Sequence, residues 1–355
     1  MNPTTEAICG CIIGTAIGDA LGLPYEGLSP DRASRLFKAP DRYHLLLNHG
    51  MVSDDTEHTC MVVQALIASG GDVDKFARDL ARRLRYWLLG LPAGIGFATL
   101  RSILKLWMGF SPKKSGVFSA GNGPAMRVAI IGVCYGDDET RLKKLVKAAT
   151  IITHTDPKAY WGALAVALAA HENFAARLVL DAEDYYNRLE QLLATEMAGD
   201  FLDLIKQVVE SVAKGKYTRE FVESQKLQKG ITGYTYHSVP AVIHAWLSNP
   251  RDFKKAILEI IGCGGDTDTT AAILGGIVGA AVGPAGIPEK WVNNLWEWPR
   301  TINWMKQLGH QLDTVLTSDR ADRPLRLPVT GILLRNLLFT SIILLHAIRR
   351  LLPPY

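Results

Sequence analysis

Cysteine is scarce in this 355-residue chain, charge is sparse, and the tail holds no uncharged apolar stretch long enough to cross a bilayer. The five cysteines are Cys9, Cys11, Cys60, Cys134 and Cys263. So small and odd a set in a long chain argues against a disulfide framework. Cys9 and Cys11 lie two residues apart in an apolar helical segment and point to different faces, which argues against a metal pair. Met1 to Ala7 lacks the basic start of a signal peptide, so a reducing cytoplasm is the expected compartment. Charged residues make up 21% and hydrophobic residues 48%, a globular composition. The formal net charge of +4 is local. Residues 317–355 hold six of the 39 basic residues and two of the 35 acidic ones, leaving 33 of each sign elsewhere. A neutral body gives no electrostatic footprint for nucleic acid.

What the chain has is helical periodicity and glycine. Residues 60–68, 76–90, 97–108, 141–152, 160–171, 183–195, 199–213, 252–261 and 270–282 carry helical patterns rich in Ala, Leu, Lys and Glu. Short β-rich runs are scarce. The expected fold is all-α, an orthogonal packing of many helices. Gly10, Gly14, Gly18 and Gly22 recur every fourth residue, as do Gly275, Gly279 and Gly283. On a helix each series makes a bare stripe where another backbone can approach closely. The runs are short and Asp19 interrupts the first, which favours buried soluble helices over spanning ones.

Residues 1–316 read as one domain. Residues 317–328 are charged, contain two prolines and read as a linker. Residues 329–355 form an apolar, basic tail whose longest uncharged stretch, Asn336 to Ile348, is short of the roughly 20 residues a span needs. Three readings compete for the tail. They are a terminal helix packed on the body, an anchor on the cytoplasmic face of a membrane, and a helix that binds a partner.

Two motifs place paired carboxylates and hydroxyls at helix starts. These are Ser53-Asp54-Asp55-Thr56 and Gly264-Gly265-Asp266-Thr267-Asp268-Thr269. Capping explains either one alone. If both converge, four aspartates share one site and raise one another's pKa values, an expensive arrangement unless divalent cations neutralise it. An all-oxygen donor set suits Mg²⁺, Mn²⁺ or Ca²⁺ and not zinc. Gly18 to Gly27 delivers Glu26 on a loop after a glycine-lined helix, where its carboxylate is either solvated surface or an acid–base group. Ser119-Ala120-Gly121-Asn122-Gly123 presents backbone amides before a helix, suited to a diphosphate or a plain turn. Thr153-His154 stands at another helix start. Gly233-Tyr234-Thr235-Tyr236-His237 offers rings for stacking on a sugar or base, or for packing.

In this order the motifs GTAIGDALGLPYEG (14–27), SDDT (53–56), AGNGPAMR (120–127), TH (153–154), GYTYH (233–237) and GGDTDT (264–269) resemble the ADP-ribosylglycohydrolase family, over roughly residues 8 to 300. The resemblance implies an all-α fold with a central cleft for two Mg²⁺ or Mn²⁺ ions. It implies metal ligation by Ser53, Asp54 and Asp55 facing Asp266, Asp268 and Thr269. Glu26, Asp55 and Asp268 take the catalytic positions. Ser119, Gly121, Asn122, Gly123, His154 and Tyr234 take the substrate-contacting ones. The implied reaction is metal-dependent hydrolysis of the bond joining ADP-ribose to a modified target, with ADP-ribosylarginine on protein as first choice. The rival is a non-catalytic ADP-ribose binder or transferase inhibitor on the same fold. Ser53 stands where many relatives have threonine, which keeps the hydroxyl. Glu57 and His58 make an unusually polar pair after SDDT, Pro124 follows the glycine turn, and the basic tail has no counterpart in the family core.

Overall fold

The glycine stripes set the centre of the molecule. The computed structural model describes residues 3–37, 39–175 and 181–351. In chain order its helices are α1 (Pro3–Gly22), α2 (Pro30–Leu36), α3 (Asp54–Ser69), α4 (Val73–Trp87), α5 (Phe97–Trp107), α6 (Ala129–Tyr135), α7 (Glu139–Ile151), α8 (Pro157–Ala175) and α9 (Ala182–Leu192). They continue with α10 (Gly199–Ala213), α11 (Thr218–Ser224), α12 (Thr235–Ser248), α13 (Phe253–Ile261), α14 (Thr267–Val282), α15 (Glu289–Asn293), α16 (Ile302–Ser318) and α17 (Val329–Arg350). Among the described residues there is no β-sheet, only isolated bridges. The fold is all-α, as the periodicity predicts.

Helices α1 and α14 run antiparallel with backbones nearly touching. A Cβ added at Gly10, Gly14, Gly18 or Gly22 would lie 2.1, 2.1, 2.0 and 2.2 Å from the carbonyl oxygens of Gly279, Gly275, Ala271 and Thr267. The two stripes therefore face each other, and no larger residue fits between them. This contact has a functional consequence. It sets the end of α1, which leads into the Glu26 loop, beside the start of α14, which carries Asp266 and Asp268. Thr267 Oγ1 donates to the Gly22 carbonyl at 2.8 Å and closes the join. Around the pair, α3, α6, α8, α12, α13 and α16 bury apolar side chains in one continuous core. By length and composition α1 and α17 are apolar enough to cross a membrane, but the apolar window of α1 is wholly buried inside this core.

All nine patterned stretches fall on helices. The helices that periodicity did not mark are mostly short. α2, α6, α11 and α15 have seven residues or fewer, too few to display two turns of pattern. α12 contains Pro240, and α16 carries a helical pattern, with Met305, Leu308, Leu312 and Val315 buried on one face, that went unmarked.

The expected linker is displaced by two residues, because α16 continues through Ser318 and ends where Asp319 turns to φ 49°. It is also bound to the body. Gln64 Nε2 donates to the Leu325 carbonyl at 2.6 Å, the Leu325 amide donates to Gln311 Oε1 at 3.0 Å, and the Asp322 amide donates to the Ile67 carbonyl at 3.0 Å. The tail beyond it forms α17, while residues 352–355 lie outside the described residues. Phe339 and Ile342 of α17 pack with Leu23, Leu45 and Met51 in a small second cluster, next to the turn that carries Glu26.

Candidate active site

Ser53 caps α3, its side chain accepting from the Asp55 amide at 3.3 Å, and that accounts for one residue of SDDT. Asp266 occupies the cap position of α14 and makes no cap bond there. Its Oδ2 instead accepts from Asn122 Nδ2 at 2.6 Å. Capping therefore does not explain the aspartates.

The two motifs meet. Thr269 Oγ1 donates to Asp55 Oδ2 at 3.4 Å, and Ser53 Oγ donates to the same oxygen at 2.9 Å. Asp55 is 1% exposed and Asp268 6%, and the Oδ1 atom of each is buried without a hydrogen-bond partner. Burial, followed by the charges of neighbouring carboxylates, pushes Asp54, Asp55 and Asp268 well above the usual carboxylate range. For Asp55 those neighbours are Asp19, Asp54 and Asp266. For Asp268 they are Glu26, Asp266, Asp55 and Asp19. Glu26 stands exposed at the edge of the group. Desolvation on its protein side and the Asp266 charge raise its pKa, and Arg350 opposes them.

Among the described residues no three His, Cys, Asp or Glu side chains already stand as a ready-made ion cage. The donors present still suit hard cations. They are buried carboxylate oxygens lacking partners, two hydroxyls, and like charges that stay neutral or repel until a cation offsets them. Mg²⁺ commonly takes one or two carboxylates and keeps several waters, so it does not require three convergent acids. Both helix N-termini add partial positive charge at the same place.

The local backbone of GGDTDT depends on its glycines. Gly264 and Gly265 adopt φ 69° and 83°, in the left-handed region, and a Cβ at Gly265 would lie 1.9 Å from the Ile231 carbonyl oxygen. That turn hydrogen-bonds the Leu28 and Ile231 segments, with Gly265 N to Leu28 O and Asp266 N to Ile231 O both at 2.8 Å. The loops after α1, before α12 and before α14 are thus tied together.

The remaining expected residues adjoin this group at Asp266, to which Asn122 is bonded. Gly121 bridges Tyr234, and Asn122 N donates to Gly233 O at 2.9 Å. The His154 ring sits against the glycine turn. A Cβ at Gly121 or Gly123 would come within 3.1 Å of that ring. Burial and then Arg127 push the His154 pKa down to about 3, so the ring is neutral. Ser119 Oγ accepts from the Gly121 amide at 3.3 Å, and Lys158 Nζ donates to the Tyr234 hydroxyl at 3.1 Å. All thirteen expected site residues lie on these adjoining loops and helix starts. Asn122, bonded to Asp266, joins the two groups directly.

Four supporting features escaped sequence reasoning. Asp19, fully buried in α1, accepts from the Ser53 amide at 2.9 Å, the Thr56 amide at 3.2 Å and the Thr56 hydroxyl at 2.5 Å. Burial raises its pKa to about 6, against the pull of those bonds. Its visible signal is a lone carboxylate in an apolar helix. Arg127, also fully buried, donates to Thr153 Oγ1 at 2.6 Å and Ala149 O at 2.8 Å and stands 3.1 Å from His58 Nδ1. It explains half of the polar Glu57–His58 pair. The other half is a buried ion network behind SDDT, in which Arg300 meets Glu57 at 3.0 Å and Glu297 at 3.5 Å, and Arg335 of α17 meets Glu297 at 2.7 Å. Finally, Arg350 at the end of α17 donates to the carbonyls of Glu26 at 2.7 Å, Pro24 at 2.9 Å and Leu23 at 3.3 Å, gripping the Glu26 turn.

A helical fold whose acidic helix starts face a glycine-rich loop defines a class, and comparison with known proteins agrees. The family model described as ADP-ribosylglycohydrolase matches residues 1–322, and the chain belongs to that family. An uncharacterized protein of Archaeoglobus fulgidus is 32% identical over 302 residues, covering 82% of this chain and 92% of that one. ADP-ribosylhydrolase ARH3 of Gallus gallus is 30% identical over 345 residues, covering 82% and 89%. The ADP-ribosyl-[dinitrogen reductase] glycohydrolase of Rhodospirillum rubrum is 26% identical over 313 residues, covering 86% and 94%. In fold, the chain is similar to a solved ADP-ribosylglycohydrolase-related protein complex, with a TM-score of 0.66 at 23% identity, covering 89% of this chain and all of that one. The match of the family model ends before α17 begins.

Proposed function

We propose that this protein hydrolyses the ribosyl bond linking ADP-ribose to a modified target, that it needs two divalent cations, Mg²⁺ or Mn²⁺, and that the target is an arginine on protein. The observation that carries the reading is the contact of the two aspartate-bearing helix starts, Thr269 Oγ1 on Asp55 Oδ2, with outlying carboxylate oxygens left unpartnered. Ser53, Asp54 and Asp55 hold cations from one side and Asp266, Asp268 and Thr269 from the other. When bound, the cations neutralise the carboxylates and polarise the ribose hydroxyls.

The chain's own groups do the rest. Gly121, Asn122 and Gly123 offer backbone and amide donors to the diphosphate, and Ser119 adds a hydroxyl. His154, neutral and braced by Thr153, keeps that loop in shape. Tyr234 supplies a ring face to the sugar or base. Glu26 orients the attacking water and accepts its proton as the bond to the acceptor breaks; the electron pair of that bond leaves on the guanidine nitrogen, which then takes the proton from Glu26. Arginine is the first choice of acceptor by resemblance to the arginine-directed branch of the family.

The test is to incubate the protein with an arginine-ADP-ribosylated protein, with and without Mg²⁺, and to measure free ADP-ribose. Release that depends on the cation is the expected result. ADP-ribose bound but never released from arginine- or serine-linked substrate would replace the reading with a binding protein.

A further inference from the structure

Helix α17 is turned inside out. A helix packed on a protein in water faces its apolar side inward. Here Arg335, Asn336 and His346 point into the body beside Phe339 and Ile342. Each polar one is bonded there. Arg335 reaches Val52 O at 2.6 Å as well as Glu297, Asn336 Nδ2 donates to Gly90 O at 2.7 Å, and His346 Nε2 lies 3.3 Å from His44 O. The outward side carries Leu334, Leu337, Leu338, Leu344, Leu345 and Ile348, each 55–66% exposed. That face covers about a third of the helix circumference, wider than the two-position seam of a coiled coil. The helix has no acidic residue.

The apolar surface continues onto other elements. Leu89 and Leu91 flank Gly90 and are 57% and 59% exposed. Trp298, 52% exposed, lies against Gly331. Tryptophan at the edge of an apolar patch suits a membrane–water boundary. At the same end a cavity opens between α4, the 319–328 segment and α17, with Trp87 and Leu327 in its walls and Arg82, Arg323 and Arg326 among its lining residues. Arginines around an apolar slot complement an anionic amphiphile. The helix does not cross a membrane, because crossing would strip Arg335, Asn336 and His346 of the body groups that satisfy them.

We propose that α17, with the arginine-lined cavity at its N-terminal end, is a docking surface for an anionic lipid bilayer, and that the helix lies flat in the interface. The inference stands apart from the hydrolase reading. Arg350 grips the Glu26 turn, so docking holds the candidate site near the membrane surface.

The test is sedimentation of the full chain with vesicles of phosphatidylcholine alone and of phosphatidylcholine with phosphatidylglycerol in a two-to-one ratio. Strong binding to the mixed vesicles, weakened by salt, is expected. The outward variant Leu337→Glu/Leu344→Glu/Leu345→Glu should bind at least about ten-fold less, with unchanged thermal unfolding and unchanged ADP-ribose release from a soluble substrate. The pair Arg323→Gln/Arg326→Gln should reduce the preference for phosphatidylglycerol while leaving weak apolar binding. Absence of binding to either vesicle overturns the proposal. A dimer in solution that the triple glutamate variant abolishes, without vesicle binding, assigns the face to a second copy and overturns it equally.

Discussion

Asp19 accepts hydrogen bonds from Ser53 and Thr56, so its removal strands buried donors as well as deleting a charge. Asp19→Ala should cost about 2–5 kcal/mol of stability, read by urea unfolding, and should loosen SDDT with it. Asp268→Asn should behave in the opposite way. Its carboxylate is crowded by Glu26, Asp266 and Asp55, so neutralising it relieves repulsion in the ion-free protein. The variant should unfold at the same or a higher temperature without added ion and should gain little from Mg²⁺. Release of ADP-ribose should fall by more than about 100-fold, the upper range for disturbing groups that only support a metal ligand. A variant that loses both stability and activity would assign Asp268 a structural role instead. At this scale the sequence was legible where chemistry is written locally. SDDT and GGDTDT each pair acids with hydroxyls, and the glycine turn stands out from its neighbours. Asp19, Arg127, Glu57 and Arg335 were not assigned, because each acts through partners far along the chain that no local spacing reveals.

Between elements, the four-residue glycine spacing foretold close backbone approach, and the structure pairs the two stripes with each other. What spacing did not contain was the consequence, that this contact brings the Glu26 turn and the GGDTDT turn together. The tail was legible as helix and as basic, but its polarity was not assignable. Apolar residues lie on every side of it, so which side faces the body is decided by what the body offers. The body offers Glu297, Glu57 and the Gly90 carbonyl, and these select Arg335 and Asn336. The segment read as a linker is strapped to α3 and α16 for the same reason: its partners, Ile67, Gln64 and Gln311, are visible only once those helices are in place. Arg335 also shows why the tail cannot be a passive appendage. It is 5% exposed and shares Glu297 and Glu57 with Arg300. Arg335→Ala would leave two buried carboxylates against one guanidinium, so a loss of about 3–5 kcal/mol is expected in chemical unfolding. An unfolding midpoint unchanged from wild type would mean that α17 does not rest on the body in solution.

At the scale of the molecule, stability should depend on pH through histidines folded in their neutral form. His244 is fully buried away from the candidate site, between Ser211 Oγ and Thr218 Oγ1, each 3.0 Å from a ring nitrogen, and stacked on Phe221. Burial lowers its pKa to about 4, with Glu259 and Glu220 opposing. A pKa depressed in the folded state means that the unfolded chain binds the proton first. The stabilising contribution is therefore complete above the ordinary value near 6.5 and is lost as pH falls toward 4. Fully expressed, that loss is on the order of 3 kcal/mol. The crowded carboxylates of the candidate site titrate in the opposite sense, since their raised pKa values favour proton uptake by the folded chain. The total pH profile therefore mixes the two, and a comparison at one position separates them. Asn at position 244 keeps hydrogen-bonding capacity for Ser211 and Thr218 and cannot titrate. Wild type should exceed His244→Asn in urea-unfolding stability at pH 8, and the gap should narrow by about 2 kcal/mol at pH 5. The carboxylates are common to both proteins and cancel in that difference. A gap that stays constant between the two pH values would mean that the folded protein accepts the proton on His244 as readily as the unfolded chain does, and that the ring is not held in its neutral form.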